Sequence, residues 1–107
     1  MSATRKRQQS TFYHFTLFMA GKEMNSRLAL QNIQEICEGA LHDNCRIRIV
    51  DVYEDFEHAL QERIVVTPAL IVSTQNPDSR AVFFGTLQDK SALLSYLNVE
   101  NGAHEPE

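Results

Sequence analysis

The side chains that could carry chemistry in this 107-residue chain are two cysteines, four histidines and a scatter of carboxylates, and their spacing narrows that chemistry sharply. A thiol-exchange centre needs a thiolate held at the N-terminus of a helix, usually with a second Cys three residues on. Cys37 instead falls late in a helical stretch, on its apolar side, where a buried and inert thiol is expected. Cys45 stands at the edge of a strand, where exposure makes it oxidisable but gives it no partner. Cys37, His42 and Cys45 match no structural zinc spacing and lack a fourth ligand. His14, His58 and His104 fall on a strand, a helix and a tail, so no histidine pair is built. The glycines at 21, 39, 85 and 102 are isolated, which excludes a phosphate-cradling loop, and Ser26 and Ser73 lack the setting of an activated nucleophile. No catalytic residue, metal site or cofactor is expected.

Two features remain. Asp51 lies in an apolar stretch between Val50 and Val52, and a carboxylate at the end of a strand caps the backbone amides of the next segment, a structural role favoured over acid–base work. Arg46 and Arg48 project from the same side of one strand, and Arg63 ends a helix. Against a body that carries net charge −7 once the first seven residues are set aside, this basic edge suits an acidic protein partner; the alternative is a row of solvated strand-face arginines.

The elements that must position these residues follow from periodicity. Over residues 12–19, Tyr13, Phe15, Leu17 and Met19 share one face while Phe12 and Phe18 bracket His14 and Thr16 on the other, the pattern of a central strand buried on both sides. Asn25 stands at the N-cap of a helix in which Leu30, Ile33, Cys37 and Leu41 recur at three- and four-residue steps. After the turn-like His42-Asp43-Asn44 comes a strand over 46–52, and Asp55 caps a short helix over 56–64 with Phe56, Ala59, Leu60 and Ile64 inward. Pro68 cannot donate a ladder bond, so the next strand, 69–73, starts at or just after it. The turn Asn76-Pro77-Asp78-Ser79 leads into 81–84 as a hairpin, and a last helix follows with Thr86 as N-cap, Asp89 three residues on, and Leu93, Leu94 and Leu97 inward. The order β-α-β-α-β-β-α predicts an α/β thioredoxin-like fold, a mixed four-strand sheet with helices on both faces.

Length and composition set the frame. With 43% hydrophobic residues the chain has room for one domain, expected at 11–99, between a basic tail at 1–10 and an acidic tail at 100–107. No apolar run approaches the roughly 18 residues of a membrane span, and Arg5-Lys6-Arg7 is followed by Gln8-Gln9-Ser10 rather than a signal core. The expectation is a soluble, unexported cytoplasmic protein with free thiols and no mature disulfide. The acidic body argues against nucleic-acid binding, which would have to rest on Arg5 to Arg7 alone.

Several short stretches, in this order and spacing, resemble one family. They are Phe18-Met19-Ala20-Gly21, Asn25-Ser26 with Ala29, Ile36-Cys37-Glu38, Ile49-Val50-Asp51-Val52 and Ile64-Val65-Val66-Thr67-Pro68-Ala69-Leu70 followed by Gly85. Together they are similar to the KaiB family of circadian-clock proteins over about residues 13–97. The resemblance implies a non-enzymatic regulator in clock or stress signalling, binding a KaiC-like ring ATPase or a related histidine kinase. It also implies fold switching between a tetrameric ground state and a monomeric thioredoxin-like form that binds. Tyr13, Arg48 and Arg63 match family binding positions, with Arg46 beside them on the basic edge, and Pro68 matches a proline that is cis in the thioredoxin-like form. The runner-up is a thioredoxin-like redox protein without a CxxC motif.

Departures from the family pattern are also legible. Thr86 replaces the Asp of the family's G-D-L, Thr74-Gln75-Asn76-Pro77 replaces a proline-rich stretch, and only Arg80 stands near the family's paired arginines. Where the family reads G-L-D-L this chain has Tyr96-Leu97-Asn98, and losing a Gly there raises helix propensity by roughly 1 kcal/mol. The helical, thioredoxin-like form is therefore expected to be the resting one. Secondary chemical shifts should report helix at residues 93–97, and a strand there would overturn this expectation.

Overall fold

Apolar alternation does place a strand at the centre. In the computed structural model, which describes residues 11–76, 79–87 and 90–97, β1 (Tyr13–Met19) has parallel β2 (Cys45–Asp51) on one side and antiparallel β3 (Ala69–Thr74) on the other. Strand β4 (Arg80–Phe84) closes the hairpin with β3, so the sheet order is β2-β1-β3-β4, the mixed sheet expected. The tails expected at 1–10 and 100–107 lie outside the described residues.

Phe15, Leu17 and Met19 enter one core with Ile33 and Ile36 of α1 (Met24–Glu38) and Leu93 and Leu97 of α3 (Ser91–Leu97). Phe18 points the other way, into a second core with Val50, Ala69, Ile71, Ile64 and Ala59 of α2 (Phe56–Gln61). Helices thus cover both faces. Phe15, Leu17 and Phe18 are fully buried, and each such side chain contributes about 1.5–3 kcal/mol by leaving water.

The boundaries depart from the sequence reading for local reasons. Gly21 takes a left-handed turn (φ 60°) and the Glu23 amide donates to the Ala20 carbonyl, so α1 begins after Glu23 and Asn25 lies inside it rather than at its cap. Buried Ser26 accepts from the Ala20 amide instead. At its far end α1 stops at Glu38, and His42 and Asp43 turn through left-handed backbone. Asp55 does cap α2, accepting from the His58 amide at 3.2 Å, but left-handed Arg63 (φ 60°) ends the helix early. The short helix leaves Phe56 and Leu60 exposed rather than inward.

Thr86 is not the cap of α3. Its carbonyl is taken by Asn32 of α1 at 2.7 Å, left-handed Leu87 intervenes, and the helix starts at Ser91; Asp89 lies outside the described residues. The turn before β4 is closed by the Ser79 amide on the Asn76 carbonyl, with Pro77 and Asp78 also outside them. Lys90 holds Glu35 of α1 at 2.6 Å, and that hydrogen bond keeps the Glu35 carboxyl below its ordinary range.

The largest correction concerns the cysteines. Cys37 and Cys45, expected as free thiols, are joined in a disulfide, with Cα atoms 5.9 Å apart. The crossover is the reason: the loop after α1 reverses the chain, so the last turn of the helix and the first residue of β2 return to the same place. Spacing along the chain carries no sign of that return.

Asp51 performs the capping role read from its position. Its Oδ1 accepts from the amides of Gly21 at 3.3 Å and Tyr53 at 2.9 Å, tying the ends of β1 and β2 together. Replacing Asp51 with Ala should leave both amides unpaired by protein and lower unfolding free energy by about 1–2 kcal/mol, read as a shift in denaturation midpoint.

Candidate partner-binding surface

The C-terminal ends of β1 and β2 meet the loop that precedes β3, whose Thr67–Pro68 bond is cis, as expected for Pro68. The turn pinned by Asp51 lays the Tyr53 ring over Gly21, where an added Cβ would touch it at 3.4 Å. Beyond α2, left-handed Arg63 sends Ile64 into the core, where its amide donates to the Ala59 carbonyl. Val65 and Val66 are thereby turned outward.

The result is an open groove of about 530 Å³ lined by Val52, Tyr53, Phe56, Leu60, Ile64 and Val65. Its rim is apolar and wet: Tyr53 is 77% exposed, Phe56 62% and Val65 86%. Apolar side chains grouped in this way are costly to leave in water, which makes the groove a candidate docking surface. The sequence reading missed it by assigning Phe56 and Leu60 to the core. The signal was present, because Tyr53, Phe56, Leu60, Val65 and Val66 are more apolar groups than a one-and-a-half-turn helix can bury.

Arg46 and Arg48 project from β2 on the α2 side of the sheet, opposite His14 and Thr16 of β1. Arg48 lines a shallow pocket of about 260 Å³ with Thr16, His58, Glu62 and Arg80. Arg80 is occupied by Glu62 at 2.7 Å, whereas the guanidinium groups of Arg46, Arg48 and Arg63 have no ion pair or hydrogen bond among the described residues. Arg63 sits in the chain between Glu62 of that pocket and Ile64 of the groove. Helix α2 therefore separates an apolar groove from a cationic pocket, with unpaired arginine at hand for both.

Tyr13 does not join them. It lies at the other end of β1 on the opposite face, packed on the α1–α3 core, and its hydroxyl donates to the Leu97 carbonyl at 2.9 Å. Its role is to moor α3.

A thioredoxin-like sheet would do thiol chemistry at the start of α1, but that segment reads Gly21-Lys22-Glu23-Met24. Cys37 stands in the last turn of the same helix, bonded to Cys45 at the start of β2. Among the described residues no cluster of His, Cys, Asp and Glu could hold a metal ion, and no helix is long and apolar enough to cross a membrane.

Comparison with known proteins bears on family and fold. The KaiB domain model matches residues 16–99. The circadian clock protein KaiB3 of Synechocystis is 32% identical over 83 residues, spanning 78% of this chain and 79% of that one. The circadian clock oscillator protein KaiB of Prochlorococcus marinus is 29% identical over 87 residues, spanning 81% of each. Among solved structures, chloroplastic thioredoxin z is similar at a TM-score of 0.69 and 15% identity, covering 85% of this chain and 80% of the other. The N-terminal domain of Synechococcus elongatus SasA is similar at 0.55 and 22% identity, covering 100% and 99%. At such identities the structural likeness shows the thioredoxin-like fold alone.

Burial pushes the Tyr13 phenol above its ordinary 10.0, and nearby Tyr96 adds to the shift. A raised folded-state value means that this group's contribution is complete below pH 10 and is lost as pH rises through the raised value. Tyr13→Phe should remove that alkaline loss while lowering stability at neutral pH by about 1 kcal/mol. Denaturation curves across alkaline pH, with phenolate absorbance, check both.

Proposed function

The chain belongs to the KaiB family, whose named relatives here are circadian clock proteins, and from that premise we propose that it is a non-enzymatic regulatory adaptor of the cytoplasm that docks on a KaiC-like ring ATPase. A related signalling histidine kinase is the other partner of the same kind. The observation that carries this reading is the exposed apolar groove beside the cis Thr67–Pro68 loop, flanked across α2 by arginines without partners. A groove that buries aromatic and aliphatic anchors, rimmed by charges that select the partner, is the anatomy of a protein interface. Its lining offers hydroxyls at Tyr53 and Thr67 and no carboxylate, imidazole or thiol.

Binding then proceeds by conformational selection. A family member resting in another fold binds more weakly by the competent fraction, roughly 100-fold if that fraction is about 1%. This chain has helix α3 where the alternative would have a strand, with the Tyr13–Leu97 bond holding its end. It is therefore poised to bind promptly as a monomer, which suits stress or signalling output more than a slow timer.

Size-exclusion chromatography with light scattering, with and without a KaiC-like ATPase from the same cell plus ATP, is the test. The free chain should run as a monomer and move onto the ring. Arg48→Glu, Arg63→Glu and Phe56→Ser should each weaken the complex by about tenfold or more, since each removes an anchor or reverses a selecting charge. A tetramer that never moves onto the ring overturns the reading.

A further inference from the structure

We propose that Cys37 and Cys45 form a reversible thiol–disulfide site that exchanges with small disulfides and thiols of the glutathione class. Its oxidation state sets how firmly the first residues of β2 are held. The functional half of this statement rests on the reading of the Arg46–Arg48 edge as partner-binding, and the redox half on the cytoplasmic setting proposed above.

Three observations and one general rule carry it. The disulfide joins the last turn of α1 to the first residue of β2, and β2 is an edge strand paired on one side only, to β1. The two cysteines differ in exposure, because Cys37 is only 8% exposed while Cys45, packed on the margin of the α1–α3 core, is half-buried. The intervening loop is held by its own backbone: the Asp43 amide donates to the Cys37 carbonyl at 2.8 Å, Leu41 to Ile36 at 3.0 Å and Asn44 to Leu41 at 2.8 Å. A reduced pair would therefore stay within reach, with the Cys37 sulfur 3.7 Å from the Cys45 carbonyl oxygen. Finally, disulfides in a reducing compartment are as a rule transient and redox-sensing rather than permanent staples.

The exchange balances as follows. An external thiolate attacks the sulfur of Cys45, the more exposed residue; the Cys37–Cys45 bond breaks, and Cys37 leaves as a thiolate that takes a proton. A second thiolate attacks the external sulfur of the mixed disulfide, releasing Cys45 as a thiolate and one small-molecule disulfide. Two small thiols are oxidised and one protein disulfide is reduced, and oxidised glutathione drives the reverse. In the reduced state Cys45 keeps its pairing to β1 opposite Tyr13 but loses its covalent tie to α1, so the register residues that follow, Arg46 and Arg48, are held by strand pairing alone.

Native full-length protein equilibrated across ratios of reduced to oxidised glutathione, then trapped with N-ethylmaleimide and weighed, tests the chemistry. Both cysteines should move together between no adduct and two, and return when the ratio is reversed. Hydrogen exchange read in the same samples should show residues 46–50 exchanging about tenfold faster when reduced, with β3 unchanged. A chain carrying Cys37→Ala with Cys45→Ser should show the faster rate in every buffer. Cysteines that stay bonded against excess reduced glutathione in the folded protein overturn the proposal, as does β2 exchange that ignores the redox state. Both readouts are independent of any ATPase, so their failure is distinguishable from failure of the docking reading.

Discussion

Strand β1 must keep Phe15 and Leu17 dry on one face and Phe18 on the other, and the remaining elements are arranged to do so. Its odd-numbered residues enter the core under α1 and α3, and Phe18 enters the core under α2. It also pairs along both edges, parallel to β2 and antiparallel to β3, so its backbone groups need no water. Moving its register by one residue would expose Phe15 and Leu17 and bury His14 and Thr16, a cost that pins the whole sheet.

The two ends of β1 then take different duties. Its first residue is fastened: Tyr13 bonds the end of α3, and its neighbour across the ladder, Cys45, is joined to α1. Its last residues open into the turn pinned by Asp51, where the chain leaves apolar side chains in water. A sheet anchored at one end can present an adaptable binding surface at the other without losing its register.

The same fold family hosts thiol catalysis and partner binding, and the difference here comes down to a few positions. With Gly21-Lys22-Glu23-Met24 at the start of α1, the helix N-terminus has no thiolate to stabilise. On the function proposed above, selectivity is left to shape and charge, through the groove and the arginines that flank α2. Because Glu62 occupies Arg80 but not Arg48, the free cationic charge is biased toward the β2 edge of the sheet.

Local rules were enough for the element order, the central strand, the Asp55 cap, the capping carboxylate of Asp51 and the strand that starts after Pro68, since each depends on side chains within a few residues of one another. The short motifs from Phe18 to Leu70 also carried the family. What only the tertiary structure decided depends on segments distant in sequence. The Cys37–Cys45 bond exists because a crossover loop returns the chain to where a helix ended. Tyr13 moors the last helix because α3 ends beside it, eighty-four residues later. Phe56 and Leu60 are outside because Arg63 turns the backbone before α2 can lengthen and roll them inward. Amphipathic periodicity says which residues can be buried together, but only the packed neighbours determine whether there is anything to bury them against.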